Sequence, residues 1–213
     1  MNFYDFLTQN KLEVASLALE HLWMVGLSTL LAIAIGIPLG IVITRKPRLQ
    51  KPVIATANVI QTIPSLALFG FLLPAPWFGD RAGRIAILAL MLYALLPLIR
   101  NTYTGIKGVD PGVVEAARGM GLTDRQLLFR VELPLAASVI LAGIRIAVVI
   151  SVGLATIAAA VGAGGLGELI FRGLAMVNNG VILAGAVPAA IMALLADLLL
   201  GWLERRLAPP RAA

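Results

Sequence analysis

The 213-residue chain contains no cysteine, which excludes disulfides, thiolate metal sites and cysteine nucleophiles. A single histidine, His21, leaves no His cluster with which to build a metal or general-base site. Charged residues are scarce at 13%, aromatics make up 6%, and 60% of the chain is hydrophobic. A soluble domain of this length needs more polar surface, and a mean hydropathy of +0.94 makes the bilayer its main solvent. No Walker A sequence occurs, and no nucleophile–base constellation is visible, so the chain is expected not to hydrolyse ATP itself or to act as an enzyme.

Five apolar segments fill most of the sequence, at residues 22–43, 53–73, 85–99, 135–161 and 181–203. Four reach the ~20 helical residues needed to span ~30 Å of hydrocarbon. The third is short, bounded by Arg84 and Arg100, and spans only if both arginines snorkel. Residues 1–20 lack a basic n-region and are expected to form an amphipathic surface helix carrying Phe3, Phe6, Leu7, Val14 and Leu17.

The basic residues orient the chain. With the N-terminus outside, twelve lie on the inner side, among them Arg45, Lys46, Arg118, Arg125, Arg130, Arg205 and Arg206. Four lie outside: Lys11, Arg81, Arg84 and Arg172. This asymmetry predicts N-out/C-in and explains the net charge of +6 without nucleic acid. Trp23, Trp77 and Trp202 fall near segment ends, where indole rings anchor.

One long stretch departs from the apolar pattern. At Val109-Asp110-Pro111 a helix start is expected, with Asp110 as cap and Pro111 in the first turn. A short helix over 112–120 is broken by Gly121; a second, over 125–132 and capped at Thr123 or Asp124, is ended by Pro134. Two short helices hinged at a glycine make a projecting inner elbow, with Ala116 and Ala117 flattening its surface for another protein.

Residues Glu115-Ala116-Ala117, Gly121 and Val131-Glu132-Leu133-Pro134 resemble the EAA motif of ABC-importer permeases, with Val131 in place of isoleucine the one departure. The resemblance implies a MetI-like, all-α membrane fold of five transmembrane helices with a cytoplasmic two-helix coupling elbow. The chain is expected to divide into an N-terminal segment 1–20, a permease domain 21–204 with its coupling loop 110–134, and a frayed tail 205–213 that contains Pro209-Pro210. The resemblance further implies that Glu115, Ala116, Ala117, Gly121, Leu133 and Pro134 dock on the ATP-binding subunits. Expected partners are two such ATPases, a second permease subunit and an external substrate-binding protein; ATP is held by the ATPases, and no cofactor is expected here.

Glu20-His21-Leu22, Ile37-Pro38-Leu39-Gly40, Gln61-Thr62-Ile63-Pro64-Ser65 and Val161-Gly162-Ala163-Gly164-Gly165-Leu166-Gly167 resemble permeases for glycine betaine, carnitine, choline or proline betaine, in the bacterial cytoplasmic membrane. Amino-acid importers share much of this pattern, and a non-transport scaffold with a docking elbow is the alternative from another class. The glycine run also matches G-x-G-x-x-G, but an apolar helix precedes it and no acid follows at the required distance, which argues for an outer turn.

Polar residues within the spans are the remaining candidates. Asn58, Thr62 and Ser65 follow one another at helical spacing, on one face, beside a kink at Pro64; they bond neighbouring helices or line a translocation path. Arg145 is the costliest residue to place in hydrocarbon, and Asp197 lies at a compatible depth to pair with it or to form part of a gate.

Overall fold

The computed structural model describes residues 2–74 and 82–207, so Trp77, Arg81, Arg211 and the Pro209-Pro210 end lie outside the described residues. Among the described residues the chain is helical, without strands. In order come α1 (Phe3–Gln9), α2 (Lys11–Arg45), α3 (Pro47–Thr62), α4 (Ser65–Leu72), α5 (Ala82–Lys107), α6 (Pro111–Gly119), α7 (Asp124–Leu127), α8 (Leu133–Ala158), α9 (Gly167–Ala175) and α10 (Asn179–Leu207). Four helices are long and apolar enough to cross a membrane, and the bent pair α3–α4 makes a fifth if it is one span.

Helix α5 is the centre of the molecule, packed most extensively on α2 and α8 and contacting α3. Its fully buried Ala86 and Leu90 lie in one apolar cluster of the core and Ala94 and Leu98 in a second. At 26 residues it is about 39 Å long, ample for a span, although any 20-residue stretch of it still includes Arg84 or Arg100. Charge bounded the apolar run at Arg84 and Arg100, but charge does not end a helix. Residues 100–107 continue it with Thr102 and Ile106 buried.

The segment expected as one kinked span is broken outright. Pro64 pushes Ile63 into an extended conformation (φ −67°, ψ 127°), ending α3 at Thr62, and α4 leaves at 98° to it. The hydroxyl of Tyr93 on α5 donates to the Ile63 carbonyl that the break leaves over. Thr62 and Ser65 therefore belong to different helices, and the shared face expected of Asn58, Thr62 and Ser65 does not exist.

The N-terminal segment also departs from expectation. Only α1 stands apart; from Lys11 the chain runs unbroken to Arg45, so the boundary expected at residue 20 falls within α2. Phe6 packs inward with Leu166, Leu169 and Val181 instead of lying on a lipid surface.

Candidate functional site

The elbow is built by local capping chemistry. The Asp110 carboxylate accepts from the Gly112 N–H at 2.6 Å, and Pro111 occupies the first turn, where its missing N–H costs nothing. Helix α6 ends in a Schellman turn: the Gly121 N–H donates to the Arg118 carbonyl (2.9 Å) and the Leu122 N–H to the Ala117 carbonyl (3.2 Å). That turn requires a left-handed residue, and Gly121 supplies it with φ +82°. Thr123 then caps α7 in a reciprocal box with Gln126, each side chain accepting from the other residue's backbone N–H.

Pro134 does not end the second short helix. The chain passes from α7 through a π-turn, Leu128–Glu132, directly into α8. A proline ring clashes with the carbonyl four residues earlier and removes an N–H; widening the turn by one residue accommodates both faults without stopping the helix. The Leu133 N–H accordingly donates to Leu128, five residues back.

Of the six motif residues, Glu115, Ala116, Gly121 and Pro134 are exposed and Leu133 is half-buried. Ala117 is only 2% exposed, so it belongs to the elbow's interior, and the flat outward face expected of both alanines is Ala116's alone. The outward surface instead carries Val113, Met120 (75% exposed) and Phe129. These were missed because an isolated apolar residue in a polar stretch has no distinguishing pattern; only the fold reveals which ones find no core.

Two further polar groupings appear. Asn58 accepts from the Arg100 guanidinium at 3.3 Å, whereas the Thr62 hydroxyl returns to its own helix at the Val59 carbonyl. Arg145 on α8 meets Asp197 on α10 through two bonds, Nε to Oδ1 at 2.6 Å and Nη2 to Oδ2 at 3.0 Å. Glu204 adds a third contact, at 3.3 Å from Nη1. It lies seven residues, two helical turns, beyond Asp197, a spacing that could have revealed it in the sequence. The cluster carries one positive and two negative charges and edges a cavity of about 390 Å³ walled by Ala142, Ile146 and Val149.

At the opposite end of α2 and α8 from the elbow, two stretches distant in sequence meet. The Gly165 N–H donates to the Glu20 carboxylate at 3.2 Å, and His21 Nε2 bonds the Val152 carbonyl at 3.1 Å. A Cβ on Gly165 would lie 3.2 Å from His21 Nδ1, so the glycine run is a seat for Glu20 and His21 and not a phosphate cradle. Close by in sequence, on α9, Arg172 bridges Glu168 (3.3 Å) and Glu13 (2.7 Å); hydrogen bonding to Glu13 is first among the causes that raise its pKa above the ordinary guanidinium value.

Long apolar helices around a central span, with a capped polar elbow at one end, define a multi-pass membrane protein. The chain belongs to the family of binding-protein-dependent transport system inner membrane components, whose model matches residues 36–209. It is 50% identical to the carnitine transport permease protein OpuCD of Listeria monocytogenes over 191 residues, covering 89% of this chain and 84% of that one. With the osmoprotectant import permease protein OsmW of Salmonella typhimurium it shares 43% identity, over 98% of each. Among solved structures, an inward-facing MetNI methionine ABC transporter superposes with a TM-score of 0.81 at 26% identity, covering 89% of this chain and 94% of that one. Family membership makes this chain a bacterial inner-membrane permease and sets aside the non-transport scaffold.

Proposed function

We propose that this chain forms the translocation path of an ABC importer for osmoprotectants: glycine betaine, choline, carnitine or proline betaine. The observation that carries the substrate class is the naming of relatives at 43–50% identity over most of the chain as carnitine, choline or osmoprotectant permeases. The likeness to the methionine transporter, at 26%, supports the shared fold and favours an amino-acid substrate less.

In this reading the bent pair α3–α4 is one of five spans, and the chain runs N-out/C-in in accord with its twelve-to-four basic asymmetry. The elbow is then cytoplasmic. Two ATP-binding subunits dock on it and on that of a second permease subunit, through Glu115, Ala116 and the exposed Val113, Met120 and Phe129. ATP stays on those subunits, this chain holds no cofactor, and an external binding protein delivers substrate to the opposite end. The break flanked by Thr62 and Ser65 belongs to the path, since discontinuous helices line transporter cavities.

The test is reconstitution of the permease with its ATPase and binding protein in proteoliposomes, with labelled betaine, choline, carnitine and methionine. ATP-dependent uptake of a quaternary ammonium compound is expected. Uptake of methionine alone would overturn the substrate assignment.

A further inference from the structure

Arg45, the last residue of α2, reaches across to Glu132 in the π-turn at the elbow's base. Its Nη1 donates to Oε1 at 3.0 Å and its Nη2 to Oε2, a two-pronged pair joining residues 87 apart in sequence. Glu132 is 4% exposed, whereas Arg45 is open enough on one side to meet water. Arg45 is the one ion-pair partner of Glu132 among the described residues.

The pair stands over an apolar cluster in which Ile37 and Ile41 of α2 meet Ile106, Leu128, Leu133, Ala136 and Ile140. Above it, Thr44, Lys107, Glu115 and Arg118 line a crevice that runs to the elbow's first helix. The apolar cluster already supplies adhesion between α2 and the base of α8. A buried ion pair adds little net stability over apolar residues of the same volume, but its fork geometry fixes one register and one orientation. Its placement matters for the same reason. The elbow continues covalently into α8 through the π-turn, and α5 precedes it by only three residues, Gly108 to Asp110. Helix α2 has no covalent link to the elbow, and the two-pronged pair supplies a polar one.

We infer that Arg45 and Glu132 form a strut that transmits movement of the ATPase-bound elbow to α2, which makes both of them positioning residues for transport. This rests on the coupling role proposed for the elbow. Docking is left to the exposed face, so loss of the strut separates ATP hydrolysis from uptake without releasing the ATPase.

The experiment compares wild type, Glu132→Gln, Arg45→Lys and the exchanged pair Arg45→Glu/Glu132→Arg in the reconstituted complex. It measures co-purified ATPase, ATP hydrolysis on adding loaded binding protein, and uptake per ATP. Both single variants should retain the ATPase and lose about tenfold or more in uptake per ATP, the factor one charge-assisted hydrogen bond carries. The exchanged pair should recover much of that loss. Should Glu132→Gln fail to accumulate, Arg45→Lys carries the test, since it keeps the charge and loses the fork. Single variants with unchanged uptake per ATP, on whatever substrate the wild type carries, would overturn the strut. So would loss of the ATPase from the purified complex, which assigns the pair to docking. An active wild type that refuses every osmoprotectant would refute the substrate assignment and leave the strut to be judged by the same ratio.

Discussion

Replacing Gly40 by alanine sets two opposed effects against each other, and the contact geometry says which wins. In a helix interior, alanine is favoured over glycine by roughly 0.5–1 kcal/mol. At Gly40, however, an added Cβ would sit 2.6 Å from Thr102 Cβ, 2.8 Å from its Cγ2 and 3.1 Å from the Ile99 carbonyl oxygen. Ordinary carbon contacts lie near ~3.5–4.0 Å, so α2 and α5 must separate by about an ångström. No rotamer change relieves this, because Thr102 Cβ is fixed to its backbone and the residue is fully buried. Gly26 on the same helix has nothing within 4 Å and serves as the control. The helix-propensity gain is common to both substitutions, so their difference isolates the clash, about 1–3 kcal/mol for overpacking. Gly26→Ala is expected to stabilise the purified permease in detergent, and Gly40→Ala to be about 1–3 kcal/mol less stable than Gly26→Ala, a net loss of up to roughly 2.5 kcal/mol against wild type. Reversible unfolding followed by circular dichroism measures both. A Gly40→Ala protein as stable as Gly26→Ala would refute the close approach of α2 and α5. Arg45 lies five residues, about 7.5 Å, beyond Gly40, so the same displacement should also reduce uptake.

Gly121→Val should cost about 1–3 kcal/mol of local strain at a positive φ and weaken ATPase binding, while Gly121→Asn, which tolerates that conformation, should bind nearly as wild type; co-purification of the ATPase distinguishes them. A cysteine placed at the exposed Thr123 should react with an impermeant maleimide only in inverted vesicles, and labelling in intact cells would reverse the proposed topology. Arg145→Ala should lower the thermal unfolding temperature more than Asp197→Ala, because the first leaves two carboxylates unpaired and the second leaves Glu204 still neutralising the arginine. Equal losses that add in the Arg145→Ala/Asp197→Ala double variant would mean that the residues do not interact. Glu20→Ala should loosen the glycine turn at Gly165 and raise its amide hydrogen exchange, with protection in the elbow unchanged.

What was legible in the sequence is what depends on local chemistry. Hydropathy located the long apolar helices, because hydrocarbon admits only backbone whose hydrogen bonds are satisfied within the segment. The elbow's start, turn and second cap were readable at Asp110, Gly121 and Thr123, since each cap is made by residues within a few positions of the group it satisfies. Arg145 and Asp197 stood out because charge is conspicuous in an apolar run, and each then had one evident candidate partner.

Tertiary structure decided whatever depends on the far side of a contact. Pro64 and Pro134 are the same residue type, yet one breaks its helix by 98° and the other is absorbed by a π-turn. At the first, Tyr93 on a neighbouring helix accepts the role of partner to the Ile63 carbonyl; at the second, Glu132 is drawn inward to Arg45. Nothing near either proline encodes those partners, which come from positions 30 and 87 residues away. Ala117 turned inward and Met120 outward for the same reason: burial is set by which element arrives opposite, and a single chain read in order contains no record of that.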